Sequence, residues 1–271
     1  MAGSWPVDTG RAELLPDGDG RRGWTLVVNG VPSSHVDLDD PTRLDFEYVR
    51  WFGDALDVWA PDGDPLRVVH LGGAGCTVAR YVAATRPDSR QVVVDVDAAV
   101  LDLARRAFGL RSSPRLRLRV GDGRAALRDL LEHGYEVVVR DAFADASVPA
   151  HLTTLEFLEQ VRRVLVPGGL YLANVADDPH LAVARAEAAT ALAAFAEVAL
   201  VAEPGHLHGR RYGNVVLAAS DGPLPWAALG RRLASGAVRA RMLDTTEVRA
   251  FAAGRRPLRD PPAEAPGPLT P

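Results

Sequence analysis

The feature that most restricts the fold of this 271-residue chain is a series of short valine- and leucine-rich runs separated by longer segments with helical spacing. Apolar runs of this length are typical of strands buried on both faces, and their alternation with helices predicts a parallel sheet covered on both sides. The runs are Leu66–Leu71, Gln91–Asp95, Leu116–Val120, Tyr135–Arg140, Leu170–Asn174 and Val215–Ala219. We therefore expect a doubly wound α/β fold whose ligands bind at the carboxyl ends of the strands.

Both flanks of this region carry other patterns. Asn29-Gly30 follows the apolar run Trp24–Val28 and favours the positive φ angles of a tight hairpin, and residues 43–59 have apolar positions at helical spacing. The chain beyond Gly254 is rich in proline, so we expect it to be mobile. The predicted regions are an N-terminal β-hairpin with a lead-in helix (residues 1–60), a ligand-binding domain (61–222), and a C-terminal helical extension with a proline-rich tail (223–271).

Composition excludes several kinds of chemistry. The chain contains no lysine, so all 31 basic residues counted as Lys+Arg are arginine. That excludes the lysine of a nucleotide-binding P-loop and a pyridoxal Schiff base, and the single cysteine, Cys76, excludes intramolecular disulfides and cysteine-cluster zinc sites. The formal charge of -4 argues against a nucleic-acid partner.

The same considerations suggest a location and a partner. The first 20 residues lack the pattern of a signal peptide, and no stretch approaches the roughly 20 apolar residues needed to cross a bilayer. We therefore expect a cytoplasmic protein with a small-molecule partner and no membrane partner, and a homodimer is compatible with the sequence.

A glycine-rich stretch joins the first buried run to a helical segment. Glycines at such a junction allow the backbone to approach a ligand at a helix N-terminus. Gly73 and Gly75 match the first two glycines of a dinucleotide-binding fingerprint, but Val78 stands at the third position, so a tight strand-to-helix turn is the alternative.

Aspartates end or directly follow three successive runs: Asp95, Asp122 and Asp141. Asp95 comes about 20 residues after Gly75, the offset at which an acidic side chain reaches ribose hydroxyls in nucleotide-binding units. A helix cap is the alternative for Asp95, although Asp97 is better placed for it. Any one of these residues is compatible with an exposed loop, but three together predict a ligand that is cationic or rich in hydrogen-bond donors.

Five motifs follow one another in a fixed order, after the Asn29-Gly30 hairpin and Phe46-Glu47-Tyr48. They are Leu71-Gly72-Gly73-Ala74-Gly75, Val94-Asp95-Val96-Asp97, Gly121-Asp122-Gly123, Val139-Arg140-Asp141 and Leu165-Val166-Pro167-Gly168-Gly169. This set resembles the class I S-adenosylmethionine-dependent transferases and, within them, the spermidine-synthase-like (polyamine aminopropyltransferase-like) family. The resemblance covers residues 24–220 and implies a mostly parallel, seven-stranded Rossmann-like sheet of the class I methyltransferase type with a small N-terminal β-hairpin region.

The resemblance also implies roles for individual residues. The co-substrate would be S-adenosylmethionine or its decarboxylated form, without a metal, and Asp141 would face the reacting sulfonium. Asp141 is the first candidate for orienting or deprotonating the nucleophile, and Asp145 the second. The implied cofactor-binding residues are Gly72, Gly73 and Gly75 for the amino-acid portion, Asp95 for the ribose with Val96 beside it, and Asp122 with Gly123 for the adenine edge.

Four positions depart from the family pattern. Aminopropyltransferases have an acidic residue in the glycine loop that pairs with the amine of decarboxylated S-adenosylmethionine, and Gly75 stands there. The family's Tyr-His-Glu stretch reads Phe46-Glu47-Tyr48 in this chain, and its hairpin glutamine is replaced by Ser33. The position of the family's second catalytic acid is occupied by Ala144, and Asp145 follows one residue later. An aspartate at position 75 would repel the carboxylate of intact S-adenosylmethionine. Because Gly75 lacks that charge, the site discriminates less against intact S-adenosylmethionine, which favours methyl transfer over aminopropyl transfer.

Other candidate residues have simpler interpretations. His206 and His208 lie on one side of an extended segment, but no third ligand has a recognisable metal-site spacing. We interpret His70 and Cys76 as core residues, and the Arg210-Arg211 pair as solvated.

Three functional hypotheses remain. The first is a spermidine-synthase-like transferase that moves a methyl or aminopropyl group to a small nucleophilic acceptor, with its polyamine-specific contacts degenerate. The alternatives are an NAD(P)-dependent oxidoreductase, which shares the glycine loop and Asp95, and a non-catalytic nucleoside-binding module.

Overall fold

A computed structural model describes residues 1–61, 63–144, 147–236 and 239–262. These residues form two β-sheets and a set of surrounding helices. Among the described helices, none has both the length and the apolar character that crossing a bilayer requires.

The N-terminal sheet has four antiparallel strands in chain order, so the predicted hairpin is one part of a larger unit. The strands are β1 (Gly3–Val7), β2 (Gly10–Pro16), β3 (Gly23–Val28) and β4 (Val31–Asp37). Asn29 and Gly30 form the β3–β4 turn with φ angles of 52° and 79°, which confirms the predicted hairpin. Strands β1 and β2 were not predicted, because between them they bury only Ala12 and Leu14.

Helix α1 (Glu47–Trp59) leads into the main domain as predicted, but it begins four residues later than the apolar spacing suggested. Arg43 lies outside the helix, and its Nη1 contacts Asp17 at 3.0 Å and Asp37 at 3.2 Å. These contacts hold the start of the segment against the N-terminal sheet.

The main sheet is mostly parallel and doubly wound, which confirms the predicted Rossmann-like, class I methyltransferase-like fold. Its strands are β5 (Arg67–Gly72), β6 (Arg90–Asp95), β7 (Leu116–Val120), β8 (Tyr135–Asp141), β9 (Leu165–Asp177), β10 (Glu197–Ala202), β11 (Gly213–Ser220) and β12 (Arg241–Leu243). The order across the sheet is β12-β10-β11-β9-β8-β5-β6-β7. Strands β5 to β9 pair in parallel, β11 is antiparallel to both of its neighbours, and the three-residue β12 adds an eighth strand to the seven expected.

Helices cover both faces of this sheet. They are α2 (Thr77–Thr85), α3 (Ala98–Phe108), α4 (Gly123–Arg128), α5 (Leu155–Val164), α6 (Ala182–Ala194), α7 (Pro204–Leu207), α8 (Trp226–Ser235) and α9 (Thr245–Phe251). Because side chains alternate along a strand, Val137 and Val139 of β8 pack with α1, α2 and α8, whereas Val138 packs with α4, α5, α6 and α9. A third core lies between the N-terminal sheet and α3.

The first part of the chain beyond Gly254 is held against the protein, although its proline content suggested a mobile tail. Residues 255–262 run along α5, where Leu258 accepts a hydrogen bond from the Leu155 backbone N–H (2.8 Å) and donates its own N–H to Thr190 Oγ1 (2.9 Å). Residues 263–271 lie outside the described residues, and the three predicted regions of the chain remain a prediction.

Candidate active site

The site lies where the strand order reverses, between β5 and β8. Chain connections run outward in both directions from this point, which leaves a crevice at the carboxyl ends of the two strands. Gly72 at the end of β5 is the register partner of Asp141 at the end of β8, and Asp95 ends the neighbouring strand β6. The structure therefore brings the glycine loop and two of the three predicted carboxylates to one edge of the sheet.

The glycine loop begins with a residue that must lack a side chain. Gly72 has a φ of 80°, and a Cβ built on it would lie 2.4 Å from the backbone oxygen of Asp141. Ala74 and Cys76 also have positive φ angles, 37° and 59°, although neither is glycine. This conformation turns the chain sharply from β5 into α2, where backbone N–H groups at the helix N-terminus are available to a ligand.

Gly75 is enclosed by the N-terminal sheet. Its backbone N–H donates to Oγ of Ser34 at 2.9 Å, and the same hydroxyl donates to the Gly73 carbonyl at 3.3 Å. A Cβ on Gly75 would lie 2.9 Å from Ser34 Cβ and 3.1 Å from Val36 Cγ2. Strand β4 therefore fills the space that a side chain at position 75 would need.

Ser34 is a site residue that was not predicted from the sequence. The family's glutamine position was matched to Ser33, but the Ser33 hydroxyl donates to the Val31 carbonyl of its own hairpin. Ser34 is buried and faces the glycine loop. The signal that could have found it is the alternation of side chains along β4, which gives adjacent serines opposite orientations.

Asp95 does not cap helix α3, which was the alternative interpretation of this residue. Asp97 caps α3 instead, because its carboxylate accepts the Val100 N–H at 2.8 Å. Burial raises the pKa of Asp95 to about 6, although hydrogen bonds from the Asp97 and Ala74 backbones oppose that rise. Val96, next to it, is 62% exposed, which leaves an apolar surface beside a carboxylate.

Asp122 is already engaged on both oxygens. Its Oδ1 caps α4 by accepting the Ala125 N–H at 2.8 Å, and its Oδ2 accepts a hydrogen bond from His151 Nε2 at 2.6 Å. Burial tends to raise the pKa of Asp122, but the hydrogen bonds from Ala125 and His151 outweigh it and hold that pKa below its ordinary value. Gly123 begins α4 directly above Leu71, whose Cβ would be 3.4 Å from an added Cβ.

Asp141 is held by two side chains from other elements. Tyr48 of α1 donates its hydroxyl to Oδ2 at 3.2 Å, and Asn174 of β9 donates Nδ2 to Oδ1 at 3.0 Å. Burial raises the pKa of Asp141, against the opposing effects of these hydrogen bonds and of the Arg140 charge. Burial and the neighbouring carboxylate keep the pKa of Tyr48 well above its ordinary value, so the phenol stays protonated and donates.

Asn174 presents a second polar atom to this region. Its Oδ1 is buried and has no hydrogen-bond partner among the described residues. Buried amide oxygens are rarely left unpaired, so this acceptor is an indication of a ligand that carries a donor. Tyr48 and Asn174 were not predicted as site residues. Tyr48 was considered only as part of the Phe46-Glu47-Tyr48 stretch that departs from the family pattern, and Asn174 ends an apolar run that looked like core packing.

A buried ion pair lies beneath Asp141. Arg140 is fully buried, and its Nη2 donates to Glu187 Oε2 of α6 at 2.6 Å and to the Asn174 backbone oxygen at 3.2 Å. Arg140 therefore links the end of β8 both to α6 and to the backbone of β9. It holds Asn174 beside Asp141.

A pocket opens beside the glycine loop. Its lining includes Tyr48, Asp141 and Ser34 together with Gly72, Gly73 and apolar residues of β5, α1 and α2. Asp95 and Asp122 lie beyond this lining, further along the sheet edge. The second predicted catalytic residue, Asp145, lies outside the described residues, between Ala144 and Ser147, and its role remains a prediction.

The histidines have local partners. His70 is buried and donates to Gln91 Oε1 at 2.8 Å, and burial lowers its pKa to about 4, as expected of a neutral core histidine. The His206 ring donates to the Arg211 carbonyl and the His208 ring to the Pro204 carbonyl. Within the described part of the chain, no group of three or more His, Cys, Asp or Glu side chains is arranged to hold a metal ion.

Known proteins resemble the chain across this domain. Residues 58–212 match the model of the spermine/spermidine synthase domain family. A polyamine aminopropyltransferase from Vibrio vulnificus is 31% identical over 134 residues, which are 49% of this chain and 44% of that protein. Another from Chromobacterium violaceum is 29% identical over 142 residues, 52% of this chain and 53% of that protein. The matches thus span about half the length of these relatives.

Solved structures extend the similarity to the whole fold. A probable spermidine synthase from Corynebacterium glutamicum superposes with a TM-score of 0.92 at 38% identity and covers 99% of both chains. The human methyltransferase-like protein 13 in complex with SAH has a TM-score of 0.58 at 19% identity, covers 81% of this chain and 98% of that chain, and shows the fold alone. The family match over more than half of the sequence and the full-length structural match lead to one conclusion: the chain belongs to the spermine/spermidine synthase domain family.

Proposed function

We propose that this protein is a transferase that alkylates a small amine with an adenosylsulfonium co-substrate, either S-adenosylmethionine or its decarboxylated form. The observation that carries the proposal is the arrangement around Asp141, whose carboxylate faces the glycine loop between the Tyr48 hydroxyl and the Asn174 amide. The family membership supports the same chemistry.

The strand ends suit the parts of such a co-substrate. Asp95 offers a carboxylate to two ribose hydroxyls, and the exposed Val96 offers an apolar surface to adenine. Asp122 and Gly123 are assigned to the adenine edge, where a carboxylate accepts from an exocyclic amine. The loop from Gly72 to Gly75 is assigned to the amino-acid end, because Gly72 and Gly73 line the pocket with backbone rather than side chains.

The acceptor would lie against Asp141. Asp141 and Asn174 Oδ1 both present hydrogen-bond acceptors, and an amine has the N–H groups that match them. The amine nitrogen attacks the carbon attached to sulfur, the C–S bond breaks, and its electron pair remains on the sulfur of a neutral thioether. Asp141 orients the amine and receives its proton, and its raised pKa makes it a better base than an ordinary carboxylate.

The residue at position 75 bears on which group, methyl or aminopropyl, is transferred. An acidic side chain there would repel the carboxylate of intact S-adenosylmethionine. Gly75 has no such group, and β4 occupies the neighbouring space through Ser34 and Val36. We therefore assign intact S-adenosylmethionine as an accepted co-substrate and methyl transfer as the favoured reaction.

The test is product analysis with each co-substrate and a panel of small amines. Methyl transfer releases S-adenosylhomocysteine, and aminopropyl transfer releases 5′-methylthioadenosine, so mass spectrometry identifies the reaction. We expect Asp141→Asn to lower the rate about 100-fold or more while the nucleoside Kd stays within about twofold. Turnover that is unaffected by Asp141→Asn would contradict the proposed role.

The comparisons give no support to the two alternatives, an NAD(P)-dependent oxidoreductase and a non-catalytic nucleoside-binding module. Each still predicts a distinct result. An oxidoreductase would bind NADH in a fluorescence titration, and a pure binding module would retain nucleoside affinity with no product from any amine. We expect neither result.

A further inference from the structure

The C-terminal segment (residues 255–262) contacts the part of the protein that carries the predicted adenine subsite. Its backbone is fixed along α5, where the Asp260 N–H donates to Glu156 Oε2 at 2.9 Å. The Asp260 side chain then reaches α4, the helix that begins immediately after Asp122. The C-terminal segment, more than a hundred positions from Asp122 in sequence, therefore lies next to this subsite.

The contact between Asp260 and α4 is a paired, two-point interaction. Arg124 donates Nη1 to Asp260 Oδ1 at 2.7 Å and Nη2 to Oδ2 at 2.6 Å, and Thr154 Oγ1 donates to the same Oδ1 at 2.9 Å. The Arg124 side chain is only 11% exposed. A guanidinium with so little access to water depends on the facing carboxylate, and the parallel geometry fixes its orientation.

Arg124 also connects the C-terminal segment to residues of the predicted adenine subsite. Its Nη1 also donates to the backbone oxygen of His151 at 3.2 Å, and the His151 ring donates to Asp122 at 2.6 Å. His151 follows the loop that leaves β8 after Asp141. The contacts therefore form a continuous path from Asp260 through Arg124 and His151 to Asp122.

We propose that Asp260 and Arg124 are positioning residues for nucleoside binding, and that the C-terminal segment is a working part of the adenine subsite. The inference rests on the proposed function, since it takes Asp122 as the residue at the adenine edge. Without the Asp260 charge, Arg124 is drawn toward solvent and the His151 carbonyl loses its donor. Residues 147–154 then sample more positions, and ordering them on binding lowers nucleoside affinity.

The test compares three variants of the full chain by calorimetric titration with 5′-methylthioadenosine. Asp260→Asn removes the charge, Asp260→Glu retains it, and Arg259→Ala is the matched control, because Arg259 belongs to the same segment but pairs with Glu156 at the surface. We expect Asp260→Asn to weaken binding about tenfold, Asp260→Glu to stay within about threefold of the unaltered chain, and Arg259→Ala to stay within about twofold.

Amide hydrogen exchange separates positioning from a general loss of stability. We expect Asp260→Asn to accelerate exchange in peptides that cover residues 147–154 and to leave β5 and β8 unchanged. Unweakened binding by Asp260→Asn, or faster exchange throughout the protein, would overturn the inference. If the unaltered chain does not bind the nucleoside at all, the proposed function itself fails.

Discussion

Tyr48 donates its hydroxyl to Oδ2 of Asp141 over 3.2 Å, across 93 positions of sequence. The contact joins α1, which precedes the main sheet, to the end of β8 at the centre of the crevice. Because burial and the Asp141 charge raise the pKa of Tyr48, the phenol remains a donor at any pH at which the protein is assayed. Helix α1 is therefore part of the site as well as part of the core.

Removing that hydroxyl is expected to lower the rate more than the stability. Tyr48→Phe keeps the ring that packs edge-on against Phe52 at 5.9 Å and removes only the hydrogen bond to Asp141. We expect kcat to fall about tenfold or more, with little change in Tm or in nucleoside Kd. Steady-state kinetics with calorimetry checks the split, and an equal loss in Kd and kcat would show that Tyr48 acts in binding.

Removing the buried arginine beneath the site is expected to destabilise the fold. Arg140→Met leaves Glu187 as an unpaired buried carboxylate, which costs about 3–5 kcal/mol in the free energy of unfolding. The double variant Arg140→Met with Glu187→Leu removes both charges, so most of that stability should return. Urea denaturation measures both. A double variant no more stable than the single one would contradict the account of the ion pair.

Position 75 tests the packing of β4 against the glycine loop. Gly75→Ala places a Cβ 2.9 Å from Ser34 Cβ, an overlap that should cost about 1–3 kcal/mol. Ser34→Gly removes the obstructing atom, so the effect of Gly75→Ala should be smaller in that background. Thermal denaturation of the four proteins gives the coupling. Additive effects would place Ser34 away from position 75.

Nucleoside binding is expected to depend on pH through Asp95. Burial raises the pKa of its carboxyl to about 6 from an ordinary 3.8. The ionised form accepts the ribose hydroxyls, so affinity should rise as the pH increases through 6 and become constant above it. Asp95→Asn should bind more weakly and lose the part of this dependence that Asp95 causes. Calorimetry between pH 5 and 8 measures it, and an unchanged pH profile in Asp95→Asn would contradict the role of Asp95.

The raised pKa of Asp95 also makes the free energy of unfolding depend on pH, and this free energy falls over a pH range in which nucleoside affinity rises. Because the folded protein holds the Asp95 proton to a higher pH than the unfolded chain does, the free energy of unfolding decreases as the pH rises from about 4 to about 6. Above pH 6 the carboxyl is ionised in both states, and this contribution stays constant. Urea denaturation across that range should show a smaller decrease in Asp95→Asn than in the unaltered chain.

The sequence predicted the main sheet well, because buried parallel strands produce continuous apolar runs that local patterns reveal. The aspartates at the strand ends were equally visible, since in a parallel sheet the carboxyl ends of β6, β7 and β8 lie at one edge by necessity. The strands β1, β2, β10 and β12 were not among the predicted runs. β1, β2 and β12 bury few side chains, and the existence of all four depends on pairing with neighbours that sequence alone does not identify.

The missed site residues have a common physical reason. Tyr48 stood in a stretch that departs from the family pattern, so it carried no assigned role, and Asn174 ends an apolar run, so it looked like packing. Their roles arise only when α1 and β9 are brought beside β8. The same holds for the contact of Asp260 with Arg124, which no local pattern signals because the two residues lie 136 positions apart.

The most direct test of the central claim is isothermal titration calorimetry of the full chain with S-adenosylmethionine, its decarboxylated form and 5′-methylthioadenosine. The account predicts saturable binding of 5′-methylthioadenosine and of intact S-adenosylmethionine at one site per chain, weakened by Asp95→Asn. It also predicts that the intact and decarboxylated forms bind within about tenfold of each other, because Gly75 provides no carboxylate to separate them. No binding of any of the three compounds would contradict the assignment of this crevice to an adenosylsulfonium ligand.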